Sequence, residues 1–125
     1  MGIRELFLIE LRVAARSVLV AWYCDCLGME IKLDDPVGDF TLLQVGSTRL
    51  AIKGGRTEVA SGSVALMFRV DDLDAEIARL KAMGEHVFEI EISPEGYRAV
   101  RLKDPSGHPI QLFEWIGSKK HSDDI

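Results

Sequence analysis

The chain has 125 residues and a mass of 13.9 kDa, with 47% apolar and 28% charged residues. That is the composition of one globular domain, or of two half-domains sharing a core, and not of a disordered chain. Twenty acidic against fifteen basic residues leave a net charge of −5 and a pI near 5.2, which argues against a nucleic-acid backbone as the main partner.

No uncharged stretch approaches the roughly 20 residues of a membrane span. Arg4, Glu5, Glu10, Arg12 and Arg16 interrupt the N-terminal segment, so it does not read as a signal peptide. Leu6 stands where a myristoylation site needs Ser or Thr. Cys24 and Cys26 lie two residues apart, a poor spacing for a disulfide and, with no second pair, for zinc. They read as small apolar residues of a cytoplasmic protein.

Alternation over Leu6–Val13 predicts a strand, and the spacing of Val18, Leu19, Trp22, Tyr23 and Cys26 predicts a helix over Arg16–Leu27 closed by Gly28. Trp22 and Tyr23 are assigned to helix–sheet packing. A short strand is expected over Met29–Lys32, then the turn Asp34-Asp35-Pro36-Val37-Gly38, then a hairpin of Phe40–Val45 and Arg49–Lys53 across Gly46-Ser47-Thr48. A polar linker, 55–62, follows.

The same order then begins again. Val64–Val70 is a strand, and Asp71 or Asp72 caps a helix to Met83 with Leu73, Ile77 and Leu80 as its core face, ended by Gly84. Strands follow over His86–Ile92, Tyr97–Leu102 and Ile110–Trp115, the last after the turn Asp104-Pro105-Ser106-Gly107. The tail 117–125 is charged and expected to be mobile. Leu11-Arg12-Val13 matches Phe68-Arg69-Val70, Gly28 matches Gly84, and Leu50-Ala51-Ile52 matches Ile110-Gln111-Leu112. This is an internal duplication with a period of roughly 57 to 60 residues. The expected fold is α+β: two tandem βαβββ modules, 5–54 and 63–116, whose curved mixed sheets enclose a shared cleft.

Trp22-Tyr23-Cys24-Asp25-Cys26-Leu27-Gly28, Val70-Asp71-Asp72-Leu73-Asp74-Ala75 and Asp104-Pro105-Ser106-Gly107-His108-Pro109-Ile110-Gln111-Leu112 resemble landmarks of the vicinal oxygen chelate superfamily. It includes glyoxalase I, bleomycin-resistance proteins, fosfomycin-resistance enzymes and extradiol dioxygenases. The resemblance spans residues 6 to 116. It implies the fold strongly and the reaction weakly, because the scaffold hosts binders and several chemistries. It implies metal ligands on the first and last strand of each half, which fall here on Leu8, Ala51, Ala65 and Gln111. Three of these carry no donor and Gln111 is a weak one, so no metal or other cofactor is expected. A two-residue shift would bring in Glu10, or Arg49 and Lys53, and still fall short of three ligands. His86, His108 and His121 read as surface residues.

Alternation places Leu8, Glu10, Arg12, Arg49, Ala51, Lys53, Ala65, Met67, Arg69, Gln111, Phe113 and Trp115 on the cleft face. The candidate ligand-binding residues are Glu10, Arg12, Arg49, Met67, Arg69, Gln111, Phe113 and Trp115. Phe113, Trp115 and Met67 would supply an apolar, aromatic wall. Glu10 is the candidate catalytic residue, either a hydrogen-bond anchor or a general base, with Arg12, Arg49 and Arg69 as candidate partners. Each has a structural competitor: Phe113, Trp115 and Met67 as core, Arg12 and Arg69 as solvated rim, Glu10 as an ion pair between the halves.

Two functions are carried forward. One is a metal-free small-molecule binder of the glyoxalase/bleomycin-resistance type that sequesters a drug or metabolite. The other is a lyase, isomerase or dioxygenase using Glu10 or a degenerate metal site. A homodimer is expected, since a half of this size leaves a sheet face bare.

Overall fold

The computed structural model describes residues 2–55 and 64–117. The linker and the charged tail lie mostly outside the described residues. Ten elements follow in order: β1 (Ile9–Arg12), α1 (Arg16–Leu27), β2 (Glu30–Asp35), β3 (Phe40–Val45), β4 (Thr48–Lys53), β5 (Leu66–Arg69), α2 (Leu73–Ala82), β6 (Glu91–Ser93), β7 (Tyr97–Lys103) and β8 (Pro109–Trp115). They form two four-stranded sheets of order β1-β4-β3-β2 and β5-β8-β7-β6. In each, the first strand runs parallel to the last and the other pairs are antiparallel. The fold is α+β with two βαβββ units in tandem. Each unit repeats the same register: Leu11 lies opposite Ile52 in one, Phe68 opposite Leu112 in the other.

In the first unit the helix stripe is Leu19, Trp22, Tyr23 and Cys26, all buried, while Val18, one position off that stripe, is exposed. α1 packs on β3 and β4, where Leu43, Leu50 and Ile52 are fully buried. Each such side chain contributes about 1.5–3 kcal/mol by leaving water. Gly28 ends α1 in the left-handed conformation, φ 69°, with its N–H on the Cys24 carbonyl and the Met29 N–H on that of Tyr23. No side chain caps the start of α1. Instead its first residue, Arg16, binds Asp34 at 2.8 Å and Asp39 at 2.7 Å and also donates to Thr41. The Thr41 hydroxyl first, then Arg16, holds the Asp34 carboxyl below its ordinary value. This network therefore stabilises the fold above that value and weakens as acid protonates Asp34.

In the second unit Asp72 is the N-cap of α2, accepting from the Ala75 N–H at 3.1 Å, and Glu114 of β8 accepts from the Leu73 N–H at 2.7 Å. Leu73 and Leu80 are buried; Ile77 is half-buried.

Four strands depart from expectation, the first being β5, which spans only Leu66–Arg69 of the expected Val64–Val70. β1 starts at Ile9 and not Leu6; just before it, Arg49 Nη1 donates to the Phe7 carbonyl at 3.4 Å. β2 runs on to Asp35, and the turn is Pro36–Asp39. β6 spans only Glu91–Ser93, where His86–Ile92 was expected. The Phe88 N–H does donate to Arg101, but one residue out of register with the Glu91–Ala99 pairing, so the ladder stops.

The turn after β7, Asp104–Ser106, belongs with the first unit although β7 and β8 belong with the second. Asp104 is buried and accepts from the Tyr23 hydroxyl at 2.7 Å and from the Ser106 N–H at 2.9 Å. Burial first, then Asp104, pushes the Tyr23 phenol far above its ordinary value, so it stays protonated and donates. Replacing Tyr23 by Phe strips the carboxylate of that donor. We expect urea unfolding to show a loss of about 1–3 kcal/mol at unchanged m; an unchanged midpoint would mean the bond contributes nothing.

Candidate functional site

Because α1 and α2 each cover one face of a sheet, the other face is built from the alternate residues. In the first sheet Glu10 lies opposite Ala51, and Ala51 opposite Leu42; Arg12 lies opposite Lys53, and Arg49 opposite Gln44. In the second sheet Met67 lies opposite Gln111 and Arg69 opposite Phe113, while β7 brings Arg101 beside Gln111, Ala99 beside Phe113 and Tyr97 beside Trp115. The sequence-derived candidates thus divide into two groups, each on the helix-free face of its own sheet: Glu10, Arg12 and Arg49 on the first, and Met67, Arg69, Gln111, Phe113 and Trp115 on the second.

The first group is charged, and each of its charged side chains has a partner within the unit. Glu10 pairs with Arg12, Oε2 to Nε 3.0 Å, two residues along the same strand. Arg49 lies over the Phe7 ring at 4.4 Å, a cation–π contact, and Lys53 Nζ donates to the Gly38 carbonyl at 2.6 Å. Of the three cations considered for Glu10, the same-strand one is its partner. Arg12 is also the most solvated of the pair, 62% exposed against 33% for Glu10, in keeping with its reading as a rim residue.

The second group is aromatic. The Phe113 and Trp115 rings meet edge-to-face, centroids 5.3 Å apart at 86°. Tyr97 closes the cluster at 5.4 Å from Phe113 and 5.9 Å from Trp115. All three are half-buried. Edge-to-face packing fixes the rings against one another and leaves part of each for a further partner. Met67 is 42% exposed, so it is not a core residue here. Arg101 pairs with Glu91 at 2.7 Å. Tyr97 was not among the sequence-derived candidates. The signal that finds it is its place at the start of β7, antiparallel to the already enumerated β8.

The residues at the positions implied for a metal do not fit one. Leu8 and Ala65 precede β1 and β5 and carry no donor, and Ala51 is a buried methyl. Gln111 offers a single neutral oxygen, and Glu10, its nearest substitute under a shifted register, is committed to Arg12. Among the described residues no three His, Cys, Asp or Glu side chains gather into a metal-holding group. His86 is exposed, His108 half-buried, and His121 lies outside the described residues. Cys26 is buried and Cys24 half-buried; burial, then Asp25, pushes the Cys24 thiol up, away from the thiolate a metal requires.

The fold and its paired helix-free faces are those of the vicinal oxygen chelate class. A family model described as a glyoxalase-like domain matches residues 9–113, and the chain belongs to that family. It is 27% identical over 127 residues to YaeR, an uncharacterised protein of Escherichia coli (strain K12), covering 91% of this chain and 98% of that one. Among solved structures it is similar to TnmS3, an antibiotic-binding protein from Streptomyces sp. CB03234, with 25% identity, TM-score 0.78, and 92% and 98% of the two chains covered. Lactoylglutathione lyase from Agrobacterium tumefaciens shares the fold at 22% identity, TM-score 0.74, covering 91% and 96%. No helix among the described residues is long and apolar enough to cross a membrane.

The donor chemistry sets an expected outcome. Protein incubated with zinc, nickel, iron(II) or manganese and then desalted should retain far less than one ion per chain by elemental analysis. One equivalent, lost on Glu10→Gln or Gln111→Leu, would overturn this reading of the site.

Proposed function

We propose that the chain is a metal-free small-molecule-binding protein of the glyoxalase/bleomycin-resistance type, which sequesters a drug or metabolite in the cytoplasm. The observation that carries this is the Tyr97–Phe113–Trp115 cluster: three half-buried rings on a sheet face that no helix of its own unit covers. Such rings supply a large apolar area at low entropic cost, the usual anchor for a planar ligand. The lack of donors at Leu8, Ala51 and Ala65 supports binding over metal-assisted chemistry, and the antibiotic-binding neighbour supports the same reading. Lyase or isomerase chemistry with Glu10 as base is less well supported, because its carboxylate already accepts from Arg12.

Single-domain organisation, with modules 5–54 and 63–116 derived by internal duplication, is part of the proposal, as is a homodimer. Exposed apolar side chains such as Ile31, Leu33, Ile90 and Ile92 support association. Light scattering across the micromolar range should return twice the chain mass; a monomer of about 14 kDa throughout would contradict the dimer.

Trp115→Ala should weaken a hit from a thermal-shift screen by about 1–3 kcal/mol, through lost stacking and burial. Glu10→Gln, titrated alongside, reports whether the first unit's face takes part. Unchanged affinity in both variants would remove the candidate residues from the site.

A further inference from the structure

The bases that could receive an anionic ligand are already engaged, Arg69 beside Phe113 included. Arg12 is paired with Glu10 at 3.0 Å and Arg101 with Glu91 at 2.7 Å. Arg49 lies over Phe7, and Lys53 is bound to a backbone carbonyl. An anion would have to displace these contacts, and a cation would find its matching carboxylates occupied.

Three neutral polar groups on the second sheet are placed differently. The Tyr97 hydroxyl, the Trp115 indole N–H and the Gln111 amide make no hydrogen bond to the described residues, and all three residues are half-buried. Tyr97 and Trp115 are cross-strand neighbours, and Gln111 lies on the same face of β8, beside Arg101. Together they offer a hydroxyl, an indole donor and an amide. Partial burial makes each more valuable to a ligand than a solvated group would be, since less water has to be displaced. Gln111 and Phe113, two residues apart on one strand, are about 7 Å apart along it, the span of a fused bicyclic ring.

We infer that this face selects an uncharged planar molecule bearing a carbonyl-type acceptor. Its rings lie on the Tyr97–Phe113–Trp115 cluster, and its polar edge is read by Gln111, two residues from Phe113 on the same strand. The inference rests on the binding reading above and adds the ligand's charge and the residue that determines specificity.

The test uses three bicyclic probes of similar size: 2-quinolone, which is neutral with a lactam edge; naphthalene-2-carboxylate, an anion; and N-methylquinolinium, a cation. Ligand-observed NMR titration of the full chain should show 2-quinolone binding at least about fivefold more tightly than either charged probe. Gln111→Leu should weaken 2-quinolone by about threefold to tenfold, the worth of a neutral hydrogen bond, and leave the charged probes unchanged, whereas Tyr97→Phe, which keeps the ring and lies at the other end of the cluster, should have little effect. The thermal midpoint of each variant reports folding. If a charged probe binds as well as 2-quinolone, or if Gln111→Leu does not affect 2-quinolone while Trp115→Ala does, the inference fails and the binding reading stands. If none of the probes binds the wild-type chain, both fail.

Discussion

The parallel pairing of the first and last strand in each unit is the constraint on which the rest depends. Parallel neighbours cannot be joined by a tight turn, so the chain must cross over, and here it does so through a helix. That helix covers one face only. Leu11 opposite Ile52, and Phe68 opposite Leu112, turn toward it; Glu10 opposite Ala51, and Met67 opposite Gln111, turn away. A slip of β1 by one residue would put Glu10 against α1 and expose Leu11, burying a charge and removing a core side chain at once. The register is therefore strongly specified, and every residue of the candidate site takes its place from it.

This dependence explains which features were legible in the sequence. α1 and β3 appear with the bounds their periodicity implies, because each has a full stripe or a full alternation with one buried face. The helix-free face of each sheet, with Glu10 and Arg49 on the first and Gln111, Phe113 and Trp115 on the second, was legible for the same reason. What was not legible depends on contacts between distant residues. Nothing local says that the ladder of β1 will begin only at Ile9, or that residues before Glu91 will slip by one against β7. The Tyr23–Asp104 bond joins positions 81 residues apart; the sequence showed Asp104 only as a turn residue and Tyr23 only as packing. Tyr97 was missed because only the outer and last strands were enumerated for the site, although the same alternation on β7 includes it.

Asp104 illustrates how a polar group can occupy an otherwise apolar position. Its carboxylate accepts from the Tyr23 side chain and from the Ser106 backbone, so its desolvation is offset on two sides. Because one donor sits on α1 and the other in its own turn, the bond ties the conformation of residues 104–106 to the position of the first helix.

The two units also differ in a way that separates packing from function. On the helix side their equivalent positions hold the same kind of residue: Leu11 and Phe68, Leu50 and Ile110, Ile52 and Leu112, Leu43 and Leu102. On the helix-free side most do not. Glu10 corresponds to Met67, Ala51 to Gln111, and Lys53 to Phe113. Packing against a helix constrains volume and polarity wherever the fold repeats, whereas a face without one leaves chemistry open. One unit uses that freedom for charged side chains already held within it, Glu10 by Arg12, Arg49 over Phe7 and Lys53 on the Gly38 carbonyl. The other uses it for three rings, two of which, Tyr97 and Trp115, carry polar groups that with the Gln111 amide make no hydrogen bond to the described residues. Charges that are already held give a ligand little to gain, whereas half-buried rings with free donors give it both area and direction. For that reason the recognition chemistry is assigned to the second unit, although the scaffold itself favours neither.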